Sequence, residues 1–122
     1  MQNNLQSFRD LKIWQLGMII AKNVYCLTKA IPQEEVFGLT SQIKRAAVSV
    51  PSNISEGRSR NSRKEFCHFL HIALGSLSEL ETQLLLVKEI YNISEVDNTL
   101  DKIYEERRMI SGMLKRLKSS KI

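Results

Sequence analysis

Glu65 and His68 stand in an E-x-x-H, the spacing by which a single helix turns a carboxylate and an imidazole to one side, as in the di-iron centres of helical bundles. Such a centre also takes a second E-x-x-H and further glutamates from other helices. Both histidines, His68 and His71, fall in this one segment, so no metal is expected. Cys26 and Cys67 are far apart and form no C-x-x-C, and they read as small buried hydrophobes rather than as a disulfide framework. No Gly-rich phosphate loop, nucleophile elbow or stacking platform for bases is present. Trp14, Phe66 and Phe69 sit at core spacing, so no catalytic residue, cofactor or small-molecule substrate is expected.

Two other constellations carry charge and hydrogen-bonding capacity. Gln42, Arg45, Ser49, Asn53 and Glu56 recur at helical three-four spacing, as do Ser76, Glu79 and Gln83. Stripes of this kind, set face to face, fix helix register through hydrogen bonds and ion pairs. Basic side chains cluster twice: Arg58, Arg60, Arg63 and Lys64 follow Gly57 without an acid, and Arg107, Arg108, Lys115, Arg116, Lys118 and Lys121 follow Glu106 without one. Glu95, Asp97, Asp101, Glu105 and Glu106 precede that second run, with Lys102 the one base among them. Acids at a helix start and bases at its end complement the helix dipole by a few tenths of a kcal/mol each. Clustering at one end is equally what phosphate neutralisation requires, and the formal charge of +5 accommodates both readings.

These side chains need helices to hold them. Apolar periodicity places four, at about 10–31, 34–57, 62–92 and 95–118, in a single domain spanning 1–122. Asp10 is the expected N-cap of the first. That helix has one apolar stripe through Leu11, Trp14, Met18, Ala21, Tyr25 and Thr28, and a second through Ile13, Ile20, Val24, Leu27 and Ile31. In the second helix, Val36, Leu39, Ile43, Ala46, Ala47, Val50 and Ile54 run through Pro51, which predicts a bend without a terminus, and Gly57 supplies the stop. Ser62 to Glu65 reads as a capping box. The third helix then keeps four-three alternation from Phe66 through Leu70, Ala73, Leu77, Leu80, Leu84 and Val87 to Tyr91, with Gly75-Ser76 allowing close helix approach. The fourth carries Val96, Leu100, Ile103, Ile110, Leu114 and Leu117, interrupted at Arg107.

Short connectors between such helices give an all-α, up-down-up-down antiparallel four-helix bundle. Helices two and four then run parallel, and both basic clusters, which follow their C-terminal ends, fall at one end of the bundle. At 122 residues and 43% hydrophobic, the chain has enough apolar surface for one core and more to offer a neighbour. The second stripe of the first helix, Ile13, Ile20, Val24, Leu27 and Ile31, is the expected subunit contact. No apolar run approaches a membrane span, and MQNNLQSFRD lacks the basic and apolar regions of a signal peptide, so a cytoplasmic protein is expected.

The string GLTSQIKRAAVSVPSNISEG from Gly38 to Gly57, followed by SRKEFCHFLHIALGSLSELETQL, resembles a known family. It is the four-helix bundle family first noticed as proteins encoded in intervening sequences of bacterial 23S ribosomal RNA genes. The resemblance runs from Phe8 to about Leu117 and rests on the Gln-Ile-Lys-Arg-Ala, Asn-Ile-Ser-Glu-Gly and Gly-Ser-Leu-Ser-Glu-Leu-Glu elements. It implies an up-down-up-down bundle assembled as a ring-like homopentamer, without established enzymatic activity. A related branch, the accessory variability proteins of diversity-generating retroelements, associates with a reverse transcriptase and with nucleic acid through basic surfaces. The family has no catalytic residues to carry over, and Gln42, Arg45, Asn53, Glu56, Glu79 and Glu81 are architectural on this reading. The expectation is a non-enzymatic oligomer that binds RNA or a nucleoprotein through Arg58, Arg60, Arg63, Lys64, Arg107, Arg108, Lys115, Arg116 and Lys118. The alternative is a purely protein-binding or structural scaffold.

Overall fold

Ser62 starts the longest helix. Its hydroxyl accepts the Glu65 amide hydrogen at 3.2 Å, relieving one of the donors that a helix start leaves unpaired, and α3 (Arg63–Tyr91) follows. The expected reciprocal half of the capping box is not made, because the Glu65 carboxylate turns to Arg60. The computed structural model describes residues 7–119, so Lys121 lies outside the described residues. The other long elements are α1 (Lys12–Leu27), α2 (Leu39–Ser59) and α4 (Glu95–Ser119), and the described residues contain four α-helices and no strand.

Helix boundaries depart from the periodicity where local chemistry intervenes. Asp10 caps nothing: Ser7 accepts from the Arg9 amide at the head of a 3-10 turn, Phe8–Asp10, and α1 begins only after the extended Leu11. At the other end the chain tightens into a second 3-10 turn, Thr28–Ala30, before an extended Ile31. That is the conformation imposed on the residue preceding a proline, here Pro32. The PQEE segment contributes a third 3-10 turn, Gln33–Glu35, and α2 starts at Leu39 rather than near residue 34. Glu35 is held there by Tyr91, whose hydroxyl donates to its carboxylate. This hydrogen bond first, and burial second, push the Tyr91 phenol up to about 12.

Helix α2 continues through Pro51, as expected, but also through Gly57, which was expected to end it. The stop falls at Asn61, whose φ of 57° is left-handed, a conformation that asparagine tolerates better than most residues. Asn92, with φ 55°, ends α3 in the same way. Gly57 has a different role. A Cβ there would lie 2.6 Å from the Phe69 Cβ, so its missing side chain is what lets α2 and α3 close together. Gly75 allows no such approach, since nothing lies within 4 Å of the position its Cβ would take.

Helix α1 packs on α2 and α4, and α3 packs on the same two. The core between them is aliphatic, with Ile20, Val24, Ile43, Val50, Ile54, Leu70, Leu77, Leu80, Leu84, Ile103 and Ile110 without exposed surface. This corrects the expected subunit contact. Ile13, Ile20, Val24, Leu27 and Ile31 are each no more than 6% exposed and form the inner face of α1, so they are consumed within the bundle. The two stripes of α1 are reversed relative to that expectation. Ile, Val and Leu carry no polar atom and go inside, whereas Trp14, Met18 and Tyr25 on the other stripe remain half-buried or exposed. Among the described residues no helix is long and apolar enough to cross a membrane.

Candidate nucleic-acid interface

The turn between α2 and α3 and the last turns of α4 meet around Leu117. On one side of it a groove is lined by Gly57, Arg58, Asn61, Arg63 and Phe66; on the other, a groove is lined by Arg63, Lys64, Cys67 and Lys118. Arg58, Arg63, Lys64 and Lys118, from three helices, are thereby brought to one surface, and the Lys118 ammonium lies 3.2 Å from His71 Nε2. Lys115 and Arg116 are exposed on the same last turns of α4.

The remaining expected members of this surface stand differently. Arg60 is claimed on both sides, 2.9 Å from Glu56 and 3.4 Å from Glu65, with its guanidinium 5.1 Å from the centre of the Phe69 ring. The hydrogen bond to Glu56 above all raises its pKa further. Its charge is thus answered by two carboxylates. Arg107 lies further back on α4, paired at 2.6 Å with Glu81 of α3, the two side chains only 33% and 25% exposed. It is a strut between helices. Arg108 is exposed, about 15 Å before Lys118 along the helix axis. Of the expected members, Arg58, Arg63, Lys64, Lys115, Arg116 and Lys118 lie at this end of the bundle, with Arg108 as an outlier. At the opposite end of α4, Asp97 holds Lys88 at 2.7 Å and raises its pKa.

The polar stripes of α2 and α3 do meet, but at one point: Ser49 and Ser76 share a hydrogen bond of 2.8 Å, and the Asn53 amide donates to the Ser49 carbonyl and hydroxyl. Gln42 and Arg45 are exposed, and Glu79 turns along its own helix to Gln83. Glu65 is engaged by Arg60, exposed His68 packs edge-on to Phe69, and among the described residues no three His, Cys, Asp or Glu side chains converge.

Helix α4 also buries a carboxyl that its charge pattern does not announce. Glu106, one of the acids of α4, is fully buried, and among the described residues neither of its carboxyl oxygens has a hydrogen-bond partner. Burial first, then the neighbouring charge of Glu105, pushes its carboxyl up to about 8. The signal was present in the spacing. Between Ile103 and Ile110 a core stripe needs an inward residue three or four positions on, and Glu106, not Arg107, occupies it.

Apolar side chains left outside lie along α1, the following turn and α2, at Met18, Ile19, Tyr25, Val36, Val48 and, 95% exposed, Phe37, and along α3, at Ile72, Leu85, Leu86 and Ile90. Tyr25, Val36, Thr40 and Val48 border one groove, with Lys44 placed 4.8 Å over the Tyr25 ring.

The family model for the 23S rRNA-intervening sequence protein matches residues 9–116. Among solved structures, the chain is similar to a protein of unknown function from the S23 ribosomal protein family from Bacteroides thetaiotaomicron VPI-5482. The identity is 24%, the match covers 84% of this chain and 98% of that one, and the TM-score is 0.77. At that identity the likeness carries the fold alone. No curated protein matches the chain.

Proposed function

The chain belongs to the 23S rRNA-intervening sequence protein family, and on that premise we propose that it is a non-enzymatic, homo-oligomeric bundle binding RNA or a nucleoprotein through its basic end. The observation that carries the reading is the convergence of Arg58, Arg63, Lys64 and Lys118 around Leu117. The carboxylates nearest to them in sequence, Glu56 and Glu65, are both engaged by Arg60. A cluster of cations gathered from three helices is suited to a phosphate backbone. The up-down-up-down antiparallel course is part of this reading. It is supported by the meeting of Lys88 near the end of α3 with Asp97 near the start of α4, and of Leu117 with the α2–α3 turn.

Assembly as a homopentamer in the cytoplasm belongs to the same proposal. With the aliphatic stripe of α1 consumed inside, the surface that supports it is the outer stripe and its continuation, Met18, Tyr25, Val36, Phe37 and Val48. The same exposed side chains favour the second reading, a scaffold that binds only protein. Fluorescence anisotropy with a structured RNA, titrated across salt concentrations, separates the two. The first reading expects affinity to fall steeply with salt and to drop in an Arg63→Ser, Lys64→Ser, Lys118→Ser variant. Absence of RNA binding at low salt overturns it. A protein partner retained after nuclease treatment is what the second expects, and a stable monomer in light scattering overturns the pentamer.

A further inference from the structure

Glu106 has no exposed surface, and among the described residues neither of its oxygens has a hydrogen-bond partner. Opposite it on α1 stands Gly17. A Cβ on that glycine would lie 3.2 Å from Glu106 Oε2 and 3.5 Å from the Pro51 Cβ, so the bare backbone of α1 makes the space in which the carboxyl and the proline ring converge. Pro51 has no amide hydrogen, and the carbonyl of Ala47, a residue likewise without exposed surface, loses the donor a helix would give it. One layer of the core thus holds a carboxyl that burial disfavours as an anion and a helix turn short of one donor.

We propose that Glu106 is held as a neutral carboxylic acid whose O–H replaces the amide hydrogen missing at Pro51, donating to the Ala47 carbonyl and tying α4 to the interrupted turn of α2. The proton is taken from solvent on folding. No residue buried on α1, α2 or α3 is titratable, so none of the three presents a buried charge to the carboxyl; Glu105 on α4 itself opposes ionisation. With the folded pKa near 8, above the ordinary 4.5, the native state binds more protons than the unfolded chain between those values. The contribution of Glu106 to stability is complete below about 4.5 and is lost as the pH rises toward about 8.

Chemical denaturation of the full chain from pH 5 to 9, for the wild type, Glu106→Gln and Glu106→Leu, each with and without Pro51→Ala, tests this. In the wild type the unfolding constant rises by up to about tenfold per pH unit relative to Glu106→Gln, which retains a donor but cannot ionise. Glu106→Leu is less stable than Glu106→Gln when Pro51 is present, and the difference disappears with Pro51→Ala, which restores the amide. Identical pH profiles for the wild type and Glu106→Gln overturn the neutral acid, and a Leu variant more stable than Gln beside Pro51 overturns the hydrogen bond. Should the variants not fold, infrared spectroscopy of the wild type decides. The C=O stretch of a buried protonated carboxyl is expected at pH 6 and is lost above about pH 8; its absence at pH 6 overturns the proposal.

Discussion

Gly57 of α2 and Phe69 of α3 approach so closely that a Cβ on the glycine would stand 2.6 Å from the Cβ of the phenylalanine. Both atoms are near the backbone, so no rotamer change relieves the clash. Gly57→Ala should therefore destabilise the bundle by about 1–3 kcal/mol through forced separation of the helices. Gly75→Ala, at an open and exposed position inside α3, should instead stabilise it by roughly 0.5–1 kcal/mol. Urea denaturation of the two variants beside the wild type reads both signs.

Arg107 and Glu81 join α4 to α3 across 2.6 Å while largely shielded from water. Glu81→Ala leaves a partly buried guanidinium unpaired and should cost about 1–3 kcal/mol. If Arg107 is a strut, Arg107→Met should weaken stability yet leave the salt dependence of RNA binding unchanged, whereas each of Arg63→Ser, Lys64→Ser and Lys118→Ser should reduce the salt slope by up to about 0.9. Anisotropy titrations at several salt concentrations make the comparison.

Ser62→Ala removes the hydroxyl that accepts the Glu65 amide at the start of α3. A loss of about 1 kcal/mol is expected. Ser62→Asp should hold the cap and keep the stability close to that of the wild type, though it adds a carboxylate beside Arg63 and should weaken RNA binding. Denaturation and binding measurements then move in different directions, as a cap inside a cationic surface requires.

Tyr91 gives its hydroxyl to Glu35, a hydrogen bond that pushes its phenol up to about 12. The folded pKa is raised above the ordinary 10.0, so the contribution is intact through neutral pH and is lost as the pH climbs toward 12. Ultraviolet titration of the wild type should show a late tyrosinate transition that is missing from Tyr91→Phe. That variant should also release the Gln33–Glu35 turn, detectable as faster amide exchange there.

How far the sequence announced this structure depends on how many faces each helix has to choose from. Helix α3 alternates apolar residues from Phe66 to Val87 along one seam, and its inner face and Ser62 cap were legible. Helix α1 is apolar on two adjoining faces, so periodicity gave two candidates without ranking them; the chemistry of the side chains decided, with the purely aliphatic stripe inside. The basic end was legible as a cluster because Arg58, Arg63 and Lys64 are near neighbours in sequence. That Arg60 and Arg107 are spoken for depends on Glu56, Glu65 and Glu81, and the geometry of those pairs exists only once the helices pack. Glu106 was hidden by its own polarity, since a carboxylate in a charged run reads as solvent-facing.

The two thiols sit at the two extremes of the bundle. Neither is the buried hydrophobe expected of it: Cys26 is exposed in a groove with Glu95 and Asn98 at the start of α4, and Cys67, half-buried, lines the groove with Lys64 and Lys118 near its finish. The span between them along α4 is roughly 30 Å. The protein thus carries its own pair of attachment points for reporter dyes: a fluorophore on Cys67 would change its emission when a polyanion docks beside it, while one on Cys26 would stay silent and serve as the internal control.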